Sequence, residues 1–123
     1  MSKFVETSYT NSKVILKFPN HSIQLAVTVS DEGITANADG KKIVPAGTII
    51  GGAGEDSFLA DKSVHAVKKN GAGAEGVLFY DVDVTYGPKE GAAVIHGFID
   101  KNKLPEAPTA EAVTALKQIT FMD

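Results

Sequence analysis

Asp81 and Asp83 stand two apart in the run Gly76-Val77-Leu78-Phe79-Tyr80-Asp81-Val82-Asp83-Val84-Thr85-Tyr86. In a strand, residues two apart leave the same face, so both carboxylates point one way. His96 lies in the next apolar run, and two carboxylates with an imidazole are a donor set that suits a divalent cation. A site of that kind normally gathers further ligands, and only Asp100, near the far end of the second run, offers one. The competing reading makes these residues the solvent-facing positions of an antiparallel hairpin, or polar groups at a subunit contact. The shortage of ligands favours the structural reading.

The remaining chemical signals are weaker. His21, His65 and His96 are far apart in sequence, and none has the two-histidine spacing of a metalloprotease helix. Gly51-Gly52-Ala53-Gly54 and Gly71-Ala72-Gly73 lack the following Gly-Lys-Ser/Thr of a phosphate-binding loop, and read as turns. No serine sits in a Gly-x-Ser-x-Gly elbow. The absence of cysteine removes disulfides, thiolate metal sites and a cysteine nucleophile. The chain is therefore expected to carry no catalytic, cofactor-binding or metal-binding residues and not to be an enzyme.

Composition narrows the classes further. A chain of 123 residues fits one domain, and 43% apolar with 22% charged residues is globular rather than disordered. The net charge of −3 and the scattered lysines give no basic stripe, so no nucleic-acid partner is expected. No apolar stretch approaches the ~20 residues of a membrane-spanning helix, and the start lacks the apolar run of a secretory signal, so no membrane partner is expected either.

The elements that would position these residues are mostly strands. Ile23, Leu25, Val27 and Val29 alternate with mostly polar neighbours, as in a half-buried strand. Asp31-Glu32-Gly33 and Asn37-Ala38-Asp39-Gly40 signal turns, and hence a hairpin or tight connection. In Lys42-Ile43-Val44-Pro45-Ala46-Gly47-Thr48-Ile49-Ile50-Gly51-Gly52 a proline and a glycine separate two β-branched clusters, predicting strand, corner, strand. Asp56-Ser57 is suited to capping a short helix over Phe58 and Leu59, and Val64-His65-Ala66-Val67 to a strand. The run from Gly76 to Tyr86 reads as one long strand, with Tyr80, Val82 and Val84 on one face. Ala92-Ala93-Val94-Ile95-His96-Gly97-Phe98-Ile99-Asp100 reads as its hairpin partner.

After Leu104-Pro105, a helix is predicted from Thr109 to Gln118. Thr109 is its N-cap, Glu111 and Lys117 suit the two ends of its dipole, and Val113 and Leu116 share a face. Ile119-Thr120-Phe121 suggests a last short strand. Glu6 to Ser12 is polar with little to bury, so residues 1 to about 12 read as a flexible arm ahead of a single β-rich domain over 13–123. The whole is a mainly β fold, a small barrel or folded sheet, with one C-terminal helix.

The order of three segments resembles the head decoration proteins of tailed phages, of the lambda D type. These are the corner Ile43-Val44-Pro45-Ala46-Gly47-Thr48-Ile49-Ile50-Gly51, the strand from Ala74 to Thr85 with its Asp-Val-Asp, and Val94-Ile95-His96-Gly97-Phe98-Ile99-Asp100 with Leu104-Pro105. The resemblance spans roughly Lys42 to Phe121, and its corner also looks like that of β-clip and β-tulip domains. Where the family has a low-complexity arm, this chain carries the strand-like stretch Ile23 to Val29.

The resemblance implies a structural virion protein on the capsid exterior, made in the cytoplasm of a bacterial host. It implies a homotrimer that binds the major capsid protein and stabilises the shell, with an arm that adds a strand to a shell edge. Phe4, Val5, Glu6, Thr7, Ser8 and Tyr9 are then the candidate capsid contacts. Phe98, Ile99, Leu104, Val113 and Leu116 are the candidate trimer contacts. The alternatives are a head fibre, tail or adaptor subunit built on the same module, or a ligand- or metal-binding β-clip domain using Asp81, Asp83 and His96.

Overall fold

The computed structural model of the protein describes residues 15–18 and 20–122. The chain is mainly β, with 36% of residues in strands and 8% helical. Eight strands follow one another: β1 (Ile23–Val29), β2 (Ile43–Val44), β3 (Ile49–Gly52), β4 (Ala66–Lys68), β5 (Gly76–Leu78), β6 (Val82–Asp83), β7 (Lys89–Asp100) and β8 (Ile119–Met122). Helix α1 (Ala110–Ala115) precedes β8, and a 3-10 turn covers Lys101–Lys103. The larger sheet runs β1-β4-β3-β5-β7-β8, and a further pairing of β1 with β7 closes five of these strands into a barrel. Of the two architectures expected, the small barrel is the one adopted.

Closure explains the apolar runs. Neighbouring strand residues face opposite ways, and here both faces are covered. Ile50, Leu78 and Ala93 point into one core with Val27, Val29, Val44, Phe58, Ala66, Val82 and Val84. Their neighbours Ile49, Val77 and Val94 point into a second core with Ile15, Leu16, Ile99, Ala112, Leu116 and Ile119. A strand buried on both sides reads as a continuous apolar pair rather than an alternation. The exposed end of β1 shows the opposite case, since Val27 and Val29 are buried while Ile23 is exposed.

The strand β7 is the spine of the molecule. Its first part pairs antiparallel with β1 (Val29↔Lys89 to Gln24↔Val94) and with β5 (Val77↔Val94, Leu78↔Ala93). Its last part pairs parallel with β8, from Gly97↔Ile119 to Asp100↔Met122. On the other side of that last part the chain around Leu16 forms an antiparallel bridge to Ile99, with Lys17 N–H donating to Phe98 O at 2.9 Å.

Four expectations need correction. The run from Gly76 to Tyr86 is not one strand: β5 stays in the barrel, and β6 leaves it to pair with β2 (Ile43↔Asp83, Val44↔Val82). The break falls at Phe79–Asp81, where Asp81 Oδ1 accepts from Ala46 N–H at 2.7 Å and Tyr80 is exposed. No helix forms over Phe58 and Leu59; Ser57 Oγ accepts from the Leu59 and Ala60 N–H groups in a turn that goes no further. Helix α1 is shorter than predicted, because Leu116 is already its C-cap, with Lys117 and Gln118 beyond it. Finally, Ala112 and Leu116, four apart, face the core together, and Val113 turns to solvent.

The predicted caps and corners are present. Thr109 is the N-cap of α1, its Oγ1 accepting from Ala112 N–H at 3.1 Å. In the corner between β2 and β3, Gly47 has φ +90°, a region that side chains disfavour, and its N–H donates to Leu78 O at 2.7 Å. A Cβ at this position would lie 2.9 Å from Pro105 Cδ and 3.0 Å from Leu104 Cδ2. The corner thus requires glycine for its backbone and also for room beneath the linker that leads to α1.

Candidate functional site

The carboxylate and imidazole set does not assemble. Asp81 is spent on the Ala46 N–H of the corner. Asp83 Oδ1 accepts from Thr85 N–H at 2.9 Å and from the Thr85 hydroxyl. The hydroxyl bond, followed by the backbone bond, holds the Asp83 carboxyl below the usual carboxylate range. Asp100 caps the 3-10 turn through Asn102 N–H at 3.0 Å and lies 3.9 Å from Lys17 Nζ. His96 is on β7 and β6 is paired with β2, so the hairpin that would have joined them is absent. Among the described residues no group of three or more histidine, aspartate or glutamate side chains converges on a metal position.

His96 instead meets His21. The two residues are 75 positions apart, and their Nε2 atoms are 3.3 Å from each other. Ile23 pairs with His96 across β1 and β7, and the register then shifts between Ile23 and Gln24, which brings the turn before β1 over the strand. That turn is closed by His21 N–H donating to Phe18 O at 3.0 Å. The imidazole of His21 lies 5.6 Å from the Phe98 ring, and Phe18 meets Phe98 edge-on at 5.4 Å. Spacing along the sequence contains no trace of this pair; only the register of β1 on β7 creates it.

A third polar cluster is structural. Glu75, just before β5, accepts from Gly52 N–H at 2.9 Å and Phe58 N–H at 3.0 Å through one oxygen, and from the Ser57 hydroxyl through the other. Lys69 Nζ donates to the Gly52 and Gly54 carbonyls on the same loop. Gly52 has no room for a side chain, since a Cβ would fall 2.1 Å from Asp56 O. Together these groups fold residues 53–58 down over β3 and seat Phe58 in the barrel core. A largely apolar groove, about 320 Å³, runs between the corner and Pro105–Glu106. Its polar side chains are engaged within the chain: Thr48 donates to Pro45 O, Lys68 pairs with Glu106 at 3.1 Å, and Asn70 holds Ala107 and Thr109.

The candidate trimer contacts divide. Ile99 (0% exposed) and Leu116 (5%) belong to the protomer's own core, the first because it is packed between Leu16 and Phe121, the second because it ends α1 facing inward. Neither is available to a neighbouring subunit. Val113 is 45% exposed, and Phe98 and Leu104 are partly buried, so these three still present apolar surface. The candidate capsid contacts Phe4, Val5, Glu6, Thr7, Ser8 and Tyr9, like the arm over residues 1 to 12, lie outside the described residues. Compared with known proteins, no family model matches the chain, and no curated protein sequence matches it.

Proposed function

We propose that this chain is a structural virion protein of a tailed bacteriophage, a decoration protein that binds the outer surface of the head as a homotrimer and stabilises the shell. In this reading it catalyses no reaction, binds no cofactor, and reaches the capsid exterior after synthesis in the bacterial cytoplasm. The observation that carries the reading is the interlocking of two of the three segments on which the family resemblance rests. Strand β2, which opens the Pro-Ala-Gly-Thr corner, pairs with β6 of the Asp-Val-Asp segment, and Asp81 accepts from Ala46 N–H within the corner. Both motifs then serve as architecture, which is all that a clip asks of them.

The mechanical role follows from valency. A shell under outward pressure has many weak joints, and a trimer that touches several capsid subunits gains avidity from simultaneous contacts. The chain around Leu16 lies beside the last part of β7, and an arm ahead of it would gain main-chain hydrogen bonds by augmenting a sheet of the major capsid protein. Of the five candidate trimer contacts, Phe98, Leu104 and Val113 are those left for the contact between copies.

Light scattering after size-exclusion chromatography should give three copies of the 12.9 kDa chain, about 39 kDa. Mass spectrometry of phage particles purified from the bacterium that encodes the chain should find it in heads, released before the major capsid protein by mild denaturant. A monomer at high concentration, together with its absence from particles, would overturn the proposal.

A further inference from the structure

We infer that His21 and His96 form a two-imidazole chelate for a borderline divalent transition metal of the Zn²⁺, Ni²⁺ and Cu²⁺ class. Two distances within the ring pair support it. Ligand nitrogens at ~2.05 Å from a tetrahedral ion lie about 3.3 Å from each other, and the two Nε2 atoms are 3.3 Å apart. An imidazole centroid sits roughly 3.2 Å from an ion bound at Nε2, which places two such centroids about 5.2 Å apart at the tetrahedral angle. The observed centroid separation is 5.1 Å. Two rings joined head-on by a straight N–H···N bond would be farther apart, at about 5.6 Å for the same nitrogen separation. The rings are therefore not in line, and a bend of this size lets both nitrogens face one ion.

The neighbour of His96 suits this use. Gln118 Oε1 lies 3.1 Å from His96 Nδ1. An amide oxygen only accepts, so this contact is a hydrogen bond when Nδ1 carries the proton, the tautomer that leaves the Nε2 lone pair facing His21. Orientation of a ligating imidazole through a hydrogen bond on its other nitrogen is the usual arrangement around protein-bound metals. His21 needs only its proton on Nδ1 for both lone pairs to face the ion. Both rings stand on ordered backbone, His96 within β7 and His21 in the turn closed on Phe18 O, so little backbone ordering opposes binding. His21 is exposed and His96 partly so, and water fills the remaining coordination positions. Among the described residues no third histidine or carboxylate joins the pair, so binding is reversible rather than structural.

The test is isothermal titration calorimetry of the full-length, tag-free chain with zinc chloride at neutral pH, beside His21→Ala, His96→Ala and His65→Ala. The expected result is one zinc per chain, binding weakened at least tenfold by either of the first two substitutions and unchanged by His65→Ala. Gln118→Ala should weaken it by a smaller factor. Nitrogen NMR of the wild type should show both Nε2 resonances moving on addition of zinc. Equal binding by wild type and the His21→Ala His96→Ala double variant, or no binding by the wild type, would overturn the assignment. Circular dichroism of each variant separates a lost site from a lost fold.

Discussion

Replacing Glu75 by alanine tests whether one carboxylate holds the loop over β3. The substitution removes the acceptor of two backbone N–H groups, Gly52 at 2.9 Å and Phe58 at 3.0 Å, and of the Ser57 hydroxyl. Gly52 and Phe58 are buried, so water reaches their N–H groups poorly, whereas the hydroxyl is free to turn outward. A lost hydrogen bond to a charged acceptor costs roughly 1.5–3 kcal/mol. Two of them set an upper limit of about 6 kcal/mol, and because Glu75 is itself partly exposed, water replaces part of the loss. The expected destabilisation is about 2–4 kcal/mol, with Glu75→Gln near half of that because its amide oxygen still accepts. Urea unfolding at one fixed protein concentration, followed by circular dichroism, measures the change in midpoint at constant slope. Hydrogen exchange adds the local signature, since the Gly52 and Phe58 amides should lose protection more than those of β7. A loss under about 0.5 kcal/mol with unchanged protection at both amides would refute the reasoning.

Ile99→Ala should lower the stability of the protomer by about 3 kcal/mol, as for a fully buried aliphatic side chain. Val113→Ser should change it by less than about 0.5 kcal/mol; thermal unfolding with light scattering distinguishes a core effect from a subunit effect, and an Ile99→Ala chain that unfolds as the wild type does would place Ile99 outside the core. Gly47→Ala should cost about 2 kcal/mol, from positive φ and the crowding of Leu104 and Pro105; a Tm unchanged within a degree would contradict the corner geometry. Thr85→Val removes the larger of the two bonds that lower the Asp83 pKa, so NMR titration of that carboxyl should show the pKa rising toward the ordinary aspartate range. Because the folded pKa of Asp83 lies below the unfolded one, its contribution to stability is present above the unfolded pKa and is lost as pH falls through the folded one. The Thr85→Val chain should accordingly lose less stability on acidification, and an equal acid dependence would argue against the Asp83–Thr85 bond.

Local patterns were legible where local physics decides the outcome. Alternation marked β1, the proline and glycine marked the β2–β3 corner, and Thr109 marked the start of α1. The apolar run before Gly87-Pro88 was legible as strand but not as two strands in two sheets. Nothing in its residue types distinguishes a strand that continues from one that breaks at Phe79–Asp81, because the break depends on Ala46, contributed by a corner 35 residues earlier. Helix α1 shows the same limit from the other side. Val113 and Leu116 share a stripe by spacing, yet the sheet selects Ala112 and Leu116, and Ala112 is too small to announce itself as a core residue.

The sequence by itself determined the class of the molecule: a cysteine-free, mildly acidic, mainly β chain with turn residues where the backbone must reverse and a capped helix near its end. Tertiary structure alone decided which strands meet, and with that the fate of every candidate polar group. β6 pairs with β2 outside the barrel and Asp81 meets the Ala46 N–H, away from His96, while the register of β1 against β7 brought His21 to it. The physical reason is that propensity and periodicity act over a few residues, whereas strand partners are chosen by the burial of both faces of a closed sheet. That choice involves side chains from the whole length of the chain at once.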